Sequence, residues 1–94
     1  MTLEQALAEK DSIIIDVRTY EEFEGGNVAG SINIPVSDLP NKLDDIKQYK
    51  TIVLCCASGM RSQMAFNYLN NQDIESIDGG SWLNVNNIKN NLNG

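Results

Sequence analysis

The chain has 94 residues, 41% hydrophobic and 21% charged, which suits one soluble domain (residues 1–94) with a single modest core. Its formal net charge of −6 argues against a nucleic-acid-binding face, and no apolar run is long enough to span a bilayer. The absence of histidine excludes a Cys-His or Ser-His relay and a His-containing zinc site, and two adjacent cysteines do not make a disulfide framework. With no secretory leader pattern at the start, the expectation is a reduced thiol in the cytoplasm, with no membrane partner.

In chain order, "TLEQALAEK" opens with Thr2 and Gln5 at capping-box spacing and places Leu3, Ala6 and Leu7 on one helical face. "SIIIDV" (12–17) is a continuous β-branched run, the pattern of a strand covered on both sides. Thr19 and Glu22 repeat the capping spacing, so a short helix is expected directly after it. "EGGNVAGS" is a glycine-rich turn, and "INIPV" (32–36) reads as a short strand stopped by Pro35.

"SDLPNKLDDI" reads as one capped helix carrying Leu39, Leu43 and Ile46, followed by a second buried strand, "TIVLC" (51–55). "RSQMAFNYLNN" is an amphipathic helix with Met64, Ala65, Tyr68 and Leu69 facing inward. "IESI" is a last short strand, "DGG" a turn, and "SWLNVNNIKNNL" an asparagine-rich helix whose end frays. Strands alternating with helices predict an α/β domain with a mainly parallel sheet, in which ligands sit at the carboxyl ends of strands.

"IVLCCASGMRS" (52–62) is such a place: a buried strand, a tight loop and a helix. A thiol at that strand end faces backbone N–H groups, the positive end of a helix, and the charge of Arg61. All three favour thiolate over thiol and stabilise an anion on the sulfur without a histidine base. Adjacent strand residues point to opposite faces, so only one of Cys55 and Cys56 can aim into the loop; the other is a small core residue. Asp16 and Arg18 flank the first strand's end, with Arg18 and Glu22 at helical i,i+4 spacing. They either shape the floor of the site or touch substrate. Met60 and Trp82 belong either to its mouth or to packing.

From about Ile13 to Trp82 the sequence resembles the rhodanese family of sulfurtransferases. "CCASGMRS" matches that family's Cys-x-x-Gly-x-Arg-Ser loop at Cys56, Gly59, Arg61 and Ser62. Asp16, Arg18, Glu22, Gly26 and Gly30 match its upstream pattern, whereas Asn27, Ala29 and Ser31 replace the usual His, Pro and Ala. Trp82 also sits closer to Gly79-Gly80 than the family's tryptophan. The resemblance implies a three-layer α/β/α fold and a Cys56 persulfide cradled by the amides of Ala57, Ser58, Gly59, Met60, Arg61 and Ser62. Asp16, Arg18 and Glu22 would serve as structural support. It implies no metal or organic cofactor. The partners it implies are a small sulfur donor such as thiosulfate, a thiol or cyanide acceptor, and a protein sulfur acceptor as a further candidate.

Counted from Cys55, the same loop has the spacing of cysteine-dependent phosphatases and some arsenate reductases. Gly59 matches the rhodanese pattern only from Cys56, and Leu54 stands where phosphatases usually carry histidine. The uncharged Ala57, Ser58 and Met60 keep a third reading open, a persulfide carrier that barely turns over thiosulfate.

Overall fold

The computed structural model describes residues 1–93. Helix α1 (Leu3–Ala8) starts on the Thr2–Gln5 capping box. Strand β1 (Ser12–Asp16) leads into α2 (Tyr20–Glu24), which starts on the Thr19–Glu22 box. Strand β2 (Ile32–Asn33), α3 (Leu43–Ile46), β3 (Thr51–Cys56), α4 (Met60–Asn71), β4 (Ile77–Ser81) and α5 (Trp82–Asn93) follow.

All strand pairs are parallel, in the order β2-β1-β3-β4. Consecutive residues of the sheet feed opposite layers, as the two-residue strand period demands. Ile15, Ile52, Leu54 and Cys56 join Leu39, Ile46, Ala65 and Leu69 on one face. Ile14, Val53 and Cys55 join Ala6, Leu7, Val28 and Val85 on the other. Helices α3 and α4 therefore cover one face and α1 and α5 the other, giving the α/β/α sandwich. The connection out of β1 runs toward β2, while that out of β3 runs toward β4. Between those diverging exits lies the crevice where parallel sheets hold ligands.

Four local expectations are corrected. Proline cannot donate within a helix and disfavours helical backbone before it. Accordingly, "SDLPNKLDDI" splits into a 3-10 helix over Val36–Asn41, which contains Pro40, and the short α3. β2 likewise ends two residues before Pro35. The last strand is "IDGGS" rather than "IESI", so the glycines lie in the strand and not in a turn. Gly79 is needed there because a Cβ would stand 2.7 Å from Val85 Cγ2 and 2.8 Å from the Leu54 carbonyl oxygen. Finally, Met64 points outward, 57% exposed. The inward stripe of α4 is Ser62, Ala65 and Leu69, with Phe66 and Tyr68 half-buried against the core.

Candidate active site

The crevice is built from two exits. At the β1 exit, Asp16 and Arg18 form a buried ion pair, Arg18 Nη2 to Asp16 Oδ2 at 2.7 Å, with Arg18 Nε donating to Oδ1 at 2.9 Å. The guanidinium also donates to the carbonyls of Gly26 (2.6 Å) and Glu22 (3.3 Å), and it stacks 4.7 Å from the centre of the Trp82 ring. Arg18 thus ties β1, the end of α2 and the start of α5 together. Asn33 adds β2 to this knot, its side-chain amide donating to the carbonyls of Asp16 and Arg18 at 2.9 Å each. Trp82 packs against Gly26, so it belongs to packing and not to the mouth.

At the β3 exit both cysteines are free thiols and fully buried, on opposite faces of the sheet. Cys56 is the last residue of β3 rather than the first of the loop. Its Sγ accepts a hydrogen bond from the Gly59 amide at 2.9 Å. Burial opposes its ionisation, but the Ser62 hydroxyl and the amides of Ser62, Gly59 and Arg61 outweigh it and hold the thiol below its ordinary value. Gly59 adopts φ 103°, a left-handed conformation that side chains resist, and so turns its amide back toward the sulfur as α4 begins. The Gly59 carbonyl in turn accepts from the Ser62 hydroxyl (3.0 Å) and the Gln63 amide (3.1 Å). Ala57, Ser58 and Met60 form the exposed rim.

Cys55 experiences the reverse. Burial, then the adjacent Asp16 carboxylate, pushes its thiol up to about 12 despite the nearby Arg18 charge. Asp16 and Cys55 are cross-strand neighbours in the register.

The two exits are joined by a pair that sequence spacing does not suggest. The Glu22 carboxylate receives Arg61 in a bidentate bond, Nη1 to Oε1 at 2.7 Å and Nη2 to Oε2 at 2.9 Å. The i,i+4 pairing of Arg18 with Glu22 is therefore replaced: Arg18 reaches only the Glu22 carbonyl. The pair is partly open to solvent, with side-chain exposures of 34% for Arg61 and 38% for Glu22. Hydrogen bonds from Arg61, then from Thr19, hold the Glu22 carboxyl down to about 2. Beside Arg61 runs an open groove of about 340 Å³ walled by Val17, Pro35, Val36 and Met64, with Thr19 and Ser37 at its edge. Asn33 and the Met64 wall escape sequence reasoning, since each acts through contacts distant in the chain.

The rhodanese-like domain family matches residues 2–90. Thiosulfate sulfurtransferase GlpE of Pseudomonas syringae pv. syringae is 32% identical over 82 residues, covering 84% of this chain and 77% of that protein. A sulfurtransferase of Allochromatium vinosum is 32% identical over 72 residues, covering 76% of this chain and 67% of the relative. Among solved structures, a rhodanese-like domain protein from Staphylococcus aureus superposes with a TM-score of 0.75 at 27% identity, covering 87% of this chain and 80% of that one. A parallel α/β/α sandwich, a cysteine-to-arginine loop at its switch point and these likenesses agree: the chain belongs to the rhodanese-like domain family.

Proposed function

We propose that this protein is a sulfurtransferase that carries a sulfane sulfur on Cys56. The Cys56 thiolate attacks the outer sulfur of a donor such as thiosulfate, the donor's S–S bond breaks, and its electron pair leaves with sulfite. The Cys56 persulfide is then held by the amides at the head of α4, and a thiol or cyanide acceptor removes the outer sulfur. This is covalent catalysis in two half-reactions, suited to a compartment that keeps both thiols reduced, such as the cytoplasm.

The observation that carries this reading is the Gly59 amide 2.9 Å from Cys56 Sγ, at a helix start that favours negative charge. Phosphate or arsenate chemistry from Cys55 is disfavoured by the same geometry, because that thiol is buried beside Asp16 and stays protonated near neutral pH. Intact-mass measurement after thiosulfate treatment tests the assignment. A gain of one sulfur atom, reversed by reductant and absent from Cys56→Ala, is expected. Retention of that gain in Cys56→Ala with its loss in Cys55→Ala would reverse the register.

A further inference from the structure

Both terminal nitrogens of Arg61, the atoms best placed to grip an oxyanion, are turned onto Glu22. No second cation compensates within the loop, since Ala57, Ser58, Gly59, Met60 and Ser62 are uncharged. Arg18 is committed too: it is buried and bound to Asp16, Gly26 and Glu22. The exposed Glu21 and Glu24 add negative charge on the same short helix as Glu22. A small dianion approaching this mouth meets a neutralised arginine in a chain of net charge −6. The surface next to Arg61 is instead mainly apolar, a groove of Val17, Pro35, Val36 and Met64 in which Thr19 and Ser37 supply the uncharged polar groups. Such a wall gains by covering hydrocarbon, and it brings no cation to a sulfonate besides the occupied Arg61.

We propose that Glu22, by occupying Arg61, sets the donor specificity of the site, favouring an alkyl persulfide whose carbon chain lies along the groove over a dianion such as thiosulfate. This rests on the Cys56 sulfur-transfer reading. The Cys56 thiolate attacks the outer sulfur of R–S–SH. The Cys56 S–S bond forms, the donor S–S bond breaks, and its electron pair leaves on R–S⁻. The transferred sulfur keeps its proton and no outside oxidant is needed. Thiosulfate is slowed rather than barred, so it still loads Cys56 at high concentration.

Glu22→Gln tests the idea without dismantling α2, because glutamine serves the third helical position of a capping box as glutamate does. The full chain and the variant are compared by kcat/KM with thiosulfate, with n-butyl persulfide, and with a persulfidated cysteine peptide. Wild type should prefer both persulfides, and the better of the two shows whether a free or a peptide-borne thiol is the source. In Glu22→Gln the thiosulfate-to-persulfide ratio should rise roughly tenfold, chiefly through a lower KM for thiosulfate, and its salt dependence should steepen. Met64→Lys, which puts a cation in the groove and leaves the Glu22–Arg61 pair intact, should move the ratio the same way. Ratios within twofold of wild type in both variants, or a fall in Glu22→Gln, would overturn the proposal. If no donor adds sulfur to Cys56 even in wild type, the transfer reading fails instead.

Discussion

The β1 and β3 exits each present an arginine held by a carboxylate, and the two pairs behave differently because of where they lie. Arg18 and Asp16 are sealed between α2, α5 and β2, so their charges organise backbone carbonyls and an aromatic ring. Arg61 and Glu22 span the open crevice, where water and substrate can compete for either partner. A sealed pair is architecture; an open one can respond to what enters. The cysteines repeat the contrast, with Cys55 cross-strand from Asp16 of the sealed pair and Cys56 at the head of the loop that carries Arg61 of the open one.

The sharpest break of this comparison is Cys56→Ser, which should abolish sulfur loading, while Cys55→Ala keeps it and alters mainly packing. Labelling separates them as well. Iodoacetamide should modify Cys56 with a pH midpoint below that of a free cysteine thiol and should spare Cys55 in the native protein. Equal labelling of both at neutral pH would erase the distinction between the exits.

Next in size is Asp16→Ala. It strands a buried guanidinium and should destabilise the fold by about 3–5 kcal/mol, read from the urea midpoint. A loss below about 1 kcal/mol would mean that the β1 exit is no more sealed than the β3 exit.

These contrasts also mark what the chain discloses before folding. The three isoleucines of β1, the two capping boxes and the Cys56-to-Ser62 spacing are local patterns, and their consequences are local, so they are readable. The Glu22–Arg61 bond joins residues 39 positions apart and depends on α2 and α4 starting from diverging strands. Its rival, Arg18 with Glu22, has the better sequence spacing and loses because Arg18 is drawn inward by Asp16. "DGG" resembles a turn until Val85 and the Leu54 carbonyl show that only a bare Cα fits beside β3. Met64 matches a core pattern by type, yet its place on α4 turns it to the crevice.

Of smaller effect is Gly59→Ala. The added Cβ has space, its nearest neighbour being Gly80 Cα at 3.8 Å, so only the φ of 103° is strained. A cost of about 1–2 kcal/mol is expected. The pH midpoint of Cys56 alkylation should rise as the amide swings off the sulfur; an unchanged midpoint would show that this amide does not govern the thiolate.

The smallest effect lies at low pH. Folding lowers the Glu22 carboxyl from 4.5 to about 2, so the charged form is the one that folding favours. Its stabilisation is complete above pH 4.5 and fades as pH falls toward 2. Comparing acid unfolding of wild type with Glu22→Gln should show the two curves converging across that window. Convergence at higher pH would mean a looser pair than the bidentate geometry implies.

The borders of the sheet carry a last consequence. One edge is the two-residue β2, cut short ahead of Pro35, and the other is β4, irregular in register and carrying two glycines. Neither offers the long run of free amides and carbonyls onto which another chain could zip. Under the proposed sulfur transfer, a protein acceptor would therefore be steered away from strand addition. Such an acceptor would instead read side chains and helix starts at the crevice, so that recognition and chemistry would share one small surface.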